Sequence, residues 1–153
     1  MASGLGSIAT NNAAVPATKN KVNTLGGRIR IFESTYTVPA AGGPAIGETI
    51  TWGSLPLGAR VLGHLSRLRW SAGAASSTLN LGDAASAARH LAATAVTSAG
   101  SATPDAAEAN GASFEVSDVS SAATNNGTLI STVAGAALQA AQVITLRVAY
   151  VLD

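Results

Sequence analysis

Gln142-Val-Ile-Thr-Leu-Arg-Val-Ala-Tyr-Val-Leu152 alternates without a break: Ile144, Leu146, Val148 and Tyr150 fall on one parity, Thr145 and Arg147 on the other. Successive side chains of a strand point to opposite faces, so this period of two predicts a strand with one face in a core. The same pattern recurs upstream. Residues 27–38 are rich in β-branched and aromatic residues, and 48–52 and 59–70 continue the theme. In 59–70, Leu62, His64, Ser66, Leu68 and Trp70 share one parity and Val61, Gly63, Leu65, Arg67 and Arg69 the other. Residues 77–82, 113–117 (with Phe114 and Val116 inward) and 128–133 complete the set. Pro39 to Gly47, Gly53 to Leu57, Gly100 to Gly111 and Asn125-Asn126-Gly127 separate them as turns or loops.

Two segments read less cleanly. In 27–38, Ile29 and Ile31 lie on one parity while Phe32, Tyr36 and Val38 lie on the other, which predicts a β-bulge or a change of packing environment. Residues 84–99 open after Gly82-Asp83 with a run of alanines. Asp83 can cap a helix there, since alanine is the strongest helix former. Thr94 to Ser98 are poor helix material, and a turn followed by a strand around 89–93 is the preferred reading. About eight short strands with turns between them predict an all-β antiparallel sandwich of jelly-roll type. No repeat of 20–50 residues is present, which disfavours a solenoid. Residues 1–26 show no period and are punctuated by Gly, Asn and Pro. They are read as an extended N-terminal arm before a sandwich domain at 27–153.

Composition constrains what such a domain does. Only 11% of the 153 residues are charged, against roughly 25% in an ordinary globular domain, and mean hydropathy is +0.31. A surface made of Ala, Ser, Thr, Gly and Asn is weakly protected against association, which predicts that much of it is buried in an assembly. Cysteine is absent, removing disulfides, thiolate nucleophiles and Cys-metal sites. Residues 1–8 lack the basic and apolar regions of a secretory signal, and no apolar run is long enough to span a bilayer. A net charge of +1 speaks against nucleic acid as a partner.

The positive charges are unevenly distributed. Both lysines, Lys19 and Lys21, lie in the arm, and every cation from Arg28 onward is an arginine. Arginine pairs and stacks at interfaces at lower desolvation cost than lysine. A GC-rich genome would produce the same bias. Lys19, Lys21, Arg28 and Arg30 are the candidate contacts to a partner surface, and Arg67, Arg69 and Arg147 are the candidates for a subunit interface.

Catalytic chemistry finds little footing. His64 and His90 each have a serine nearby (Ser66, Ser86), but a triad also needs an orienting carboxylate and an oxyanion hole, and no GxSxG elbow is present. The scattered acids include Glu115 but form no recognisable pair for glycoside hydrolysis. No phosphate loop or EF-hand pattern occurs. The expectation is no enzyme, no catalytic residue, no cofactor and no metal. A carbohydrate-binding module is the alternative, and it requires Trp52, Trp70 and Tyr150 exposed and coplanar.

The block L-G-H-L-S-R-L-R-W at 62–70, followed by S-S-T-L-N-L-G-D-A-A-S-A-A-R-H-L-A-A at 76–93, has G-A-R-V-L just before it at 58–62. Together with the closing I-T-L-R-V-A-Y-V at 144–151, it resembles head decoration (cement) proteins of tailed bacteriophages. The similarity covers the middle third of the chain and its last strand. It implies a β-sandwich on a capsid lattice, commonly trimeric, made in the host cytoplasm and placed on the outer surface of the virion with the major capsid protein as partner. It implies no site residue, because such proteins work through surfaces. A cyclic oligomer with one basic arm per subunit gains affinity for a repeating lattice through multivalency.

Overall fold

A computed structural model describes residues 14–16, 19, 27–106 and 114–152. Within them are eight strands: β1 (Arg28–Thr37), β2 (Thr49–Ser54), β3 (Arg60–Trp70), β4 (Thr78–Leu81), β5 (Leu91–Ala95), β6 (Gly100–Ala102), β7 (Thr128–Ala134) and β8 (Val143–Leu152). They form two four-stranded antiparallel sheets, ordered β1-β8-β3-β6 and β2-β7-β4-β5. The pairings β1 with β8, β2 with β7, β3 with β6 and β4 with β5 describe one long antiparallel ribbon. Two further pairings, β3 with β8 and β4 with β7, roll that ribbon closed. This is the double-sheet wrapping of a jelly roll.

The inner faces follow the alternation read from the sequence. In β8, Ile144, Leu146 and Val148 are fully buried and Tyr150 packs beside them. Leu129 and Val133 of β7, Leu79 and Leu81 of β4, and Leu68 of β3 meet them. Trp52 and Trp70 sit in the same core with their indole N–H groups satisfied. Trp52 donates to the Ser131 hydroxyl at 2.9 Å and Trp70 to the Ser98 carbonyl at 2.8 Å. Buried Gln142 ties the two sheets together, donating to the carbonyls of Ser71, just after β3, and Val96, just after β5, at 3.2 and 3.0 Å. At the sandwich edge Phe32 of β1 lies over Gly53 of β2, where φ is +146° and a Cβ would come within 2.9 Å of the ring. Only glycine fits both demands.

Four expectations need correction. First, β1 carries no bulge: ten consecutive residues pair with β8 in unbroken register. Ile29 and Ile31 face outward at 56% and 54% exposure, so the two apolar parities reflect an exposed apolar stripe. Second, the irregularity lies in β3, where residues 63–66 stand against Val148 alone, between the pairs Leu62–Ala149 and Arg67–Arg147. Ser66 turns inward there, donating to the Leu62 carbonyl at 2.8 Å and accepting from the Ala149 amide at 3.0 Å, so its hydroxyl substitutes for a ladder bond. The phase therefore changes within the strand: Val61, Ser66, Leu68 and Trp70 face in, while His64 and Leu65 protrude.

Third, residues 100–102 form β6 rather than a loop, paired with Leu68, Arg69 and Trp70. Fourth, residues 114–117 make only an isolated bridge, Glu115 with Arg60, flanked by hydrogen bonds from Val61 to Phe114 and from Val116 to Ala59. Val116 is nevertheless buried, and Phe114 packs on the core. The preferred reading of 84–99 holds: a turn, then strand β5 beginning two residues later than expected. Of the arm, only Ala14, Val15, Pro16 and Lys19 are among the described residues.

Candidate interaction surfaces

The L-G-D-A-A-S-A-A-R-H-L segment builds a locked turn between β4 and β5. Asp83 is buried, and its Oδ1 accepts the amides of Ala85 and Ser86, both at 2.9 Å. Its other oxygen accepts from Arg89 Nε in a short charge-assisted bond, and Arg89 Nη2 reaches Oδ1 at 3.3 Å. The guanidinium then stacks over Phe114, 4.8 Å from the ring centroid, and His90 meets the same ring edge-on at 4.9 Å. Gly82 precedes the turn because a Cβ there would lie 2.0 Å from the Ser86 carbonyl oxygen and 2.4 Å from the Ala87 carbonyl carbon. The most distinctive motif of the sequence is thus a structural clamp, and Asp83 is a turn residue.

A second polar loop precedes β7. Asp118 accepts from the Thr124 hydroxyl and from the Ser120 amide and hydroxyl at 2.8 and 2.7 Å. These hydrogen bonds, led by that of Thr124, hold its carboxyl down from the usual 3.8 to about 2. Asn125 Oδ1 receives the amides of Gly127 and Thr128 at 2.9 and 3.0 Å, which makes the expected turn into β7.

Three strand arginines, Arg67, Arg69 and Arg147, are gathered on the outer face of the first sheet. Arg147 of β8 stands directly between Glu33 of β1 and Arg67 of β3, and Arg69 stands opposite Thr145. With Leu65 from the protruding 63–66 segment they line an open groove of about 330 Å³. Arg67 Nη1 touches the Ser101 hydroxyl of β6 at 3.3 Å. Among the described residues, none of Arg67, Arg69 and Arg147 forms an ion pair. The sequence placed these three on one parity within their strands, but the cross-strand register that joins them is a property of the fold.

The remaining candidates are dispersed. Arg28 and Arg30 are exposed on one side of β1 at its N-terminal end, Lys19 is exposed, and Lys21 lies outside the described residues. His64 is exposed, whereas Ser66 is buried and committed to backbone groups. No group of three or more metal-ligating side chains occurs among the described residues. The aromatic platform required of a carbohydrate module is not formed, because Trp52 and Trp70 are 6% and 8% exposed and bonded internally.

No family model matches the chain, and a search of curated proteins finds no match. Among solved structures, the chain is similar to a chain of the cyanophage Pam1 capsid asymmetric unit. Identity is 26% and the TM-score 0.58, over 84% of this chain and 87% of that one. By sequence and fold together, this jelly-roll chain is related to a phage capsid component.

Proposed function

We propose that the chain is a structural virion protein that binds the assembled phage capsid lattice from outside, as a homotrimer, and stabilises it. The observation that carries this reading is the near end-to-end likeness to a chain of a phage capsid asymmetric unit. Because the match spans most of both chains, the counterpart is itself a small protein of nearly this length, as an accessory on a lattice would be. The charge-poor surface supports the same reading: a chain with 11% charged residues has large areas suited to contact with neighbours. So does the tightly wound sandwich, in which Asp83, Asn125 and Gln142 hold turns and tie the sheets together. The major capsid protein is the proposed partner, and the basic residues Lys19, Lys21, Arg28 and Arg30 are proposed contacts to it. Each subunit contributes a modest contact, and a trimer sums three of them.

The test is co-sedimentation of the purified full chain with emptied heads. Saturation at a fixed ratio to the capsid protein supports the reading, and loss of binding on deletion of residues 1–20 supports the role of the arm. A protein that sediments alone as a monomer and ignores heads refutes the proposal.

A further inference from the structure

The outer face of the first sheet breaks a rule of cross-strand pairing. Like charges directly opposite on neighbouring strands destabilise a sheet, yet Arg67 and Arg147 are direct partners. Arg69 lies two residues along the same face. The one carboxylate in the groove, Glu33, stands across from Arg147 without forming an ion pair with it. By contrast, Asp83 pairs with Arg89, and Asp118 is enclosed by hydroxyls and an amide. A local conflict inside an otherwise consistent fold is the mark of a functional surface. Three exposed guanidiniums converging on a groove supply forked donors matched to carboxylates.

The geometry points to this groove as the docking site for an acidic segment, rich in Asp or Glu, of a partner protein. Three observations select that occupant. A second copy of the chain offers no matching patch among the described residues. Its described acids are scattered: Asp83 is buried, Glu48 accepts the Ala45 amide, Asp118 is held in its own turn, Glu115 lies on the bridge to Arg60, Asp105 follows β6 and Glu33 belongs to the groove itself. Nucleic acid fits poorly, since both tryptophans are buried away from any base and no aromatic side chain lines the groove. The protruding Leu65, 51% exposed, gives the groove an apolar wall against which the stem of an acidic side chain packs. This inference deepens the proposed lattice binding by assigning it a surface.

The test titrates a fluorescein-labelled hexaglutamate peptide and a hexathymidine oligonucleotide into the full chain at low and physiological salt. The peptide is expected to bind, and to bind more weakly as salt rises. The double variant R67Q/R147Q should lose about tenfold or more in peptide affinity. Glu33→Gln should bind the peptide about two- to fivefold more tightly, because it removes the opposing carboxylate. A variant that had merely lost its fold could not produce that gain. Unchanged peptide binding in R67Q/R147Q, weaker binding in Glu33→Gln, or oligonucleotide binding tighter than peptide binding would overturn the assignment. So would a drop of R67Q/R147Q from oligomer to monomer in sedimentation, which would make a second copy the occupant. Emptied heads separate the two claims. Heads that bind wild type and R67Q/R147Q equally sink the groove but leave lattice binding intact. Heads that ignore the wild type sink lattice binding, and the peptide titration still judges the groove.

Discussion

Replacing Asp83 with alanine removes a buried carboxylate that holds a whole turn together. The side chain is fully buried, and it accepts two backbone amides at 2.9 Å and two contacts from Arg89. A hydrogen bond to a charged group contributes about 1.5–3 kcal/mol, and a donor left buried costs a similar amount. Two offsets reduce the sum. Ala85 is exposed and Ser86 half-buried, so water reaches the freed amides when the turn loosens, and the Arg89 side chain is 28% exposed and recovers part of its hydration. The net loss is therefore about 2–4 kcal/mol, below the upper range for breaking a wholly buried ion pair. At about 2–4 °C per kcal/mol for a chain of this size, the melting temperature falls by about 4–16 °C. Calorimetry and urea denaturation at fixed protein concentration measure it, since oligomerisation would otherwise shift the apparent stability. Asp83→Asn keeps an oxygen for the two amides and loses the charge, so it should fall between wild type and alanine. An Asp83→Ala protein that melts within about 1 °C of wild type would refute the clamp. An asparagine variant as damaged as alanine would show that the amide bonds contribute nothing.

Gly82→Ala should be worse than Asp83→Ala, because its Cβ would lie 2.0 Å from the Ser86 carbonyl oxygen and the turn has no way to yield; soluble yield and melting temperature report it. Gln142→Leu preserves volume but strands the carbonyls of Ser71 and Val96, and should cost about 1–3 kcal/mol in urea denaturation. The Asp118 carboxyl should titrate near pH 2 by carbon-detected NMR, and Thr124→Ala should move it back toward 3.8. Since its folded value lies below the unfolded one, its contribution is fully present above about pH 4 and fades as pH falls toward 2. A midpoint unaffected by Thr124→Ala would contradict the hydrogen-bond origin of the shift.

Much of the sandwich was legible in the chain because burial and alternation coincide along β8 up to Val148, where inward Ile144, Leu146 and Val148 alternate with half-exposed Thr145 and exposed Arg147. The misreadings arise where the two part company. Ile29 and Ile31 are apolar but exposed, so hydropathy suggested a bulge or a change of packing environment in a strand of unbroken register. In β3 the extra residues at 63–66 reset the phase, and the signal is a buried serine, which periodicity counts as polar. Strand β6 is three small residues whose pairing is dictated by β3 rather than by their own propensity. Phe114 and Val116 alternate into the core without pairing as a strand. Asp83 was recognisable as a turn residue, but its burial with Arg89 depends on Phe114, distant in sequence. The arginine groove was half legible: parity placed Arg67 and Arg69 together, and only the β3–β8 register brought Arg147 beside them.

The most direct measurement is an electron cryomicroscopy reconstruction of emptied phage heads incubated with the purified full chain. The account predicts extra density on the outer surface, repeated at every equivalent lattice position and fitted by three copies of this jelly roll. Heads that reconstruct identically with and without the protein would contradict it.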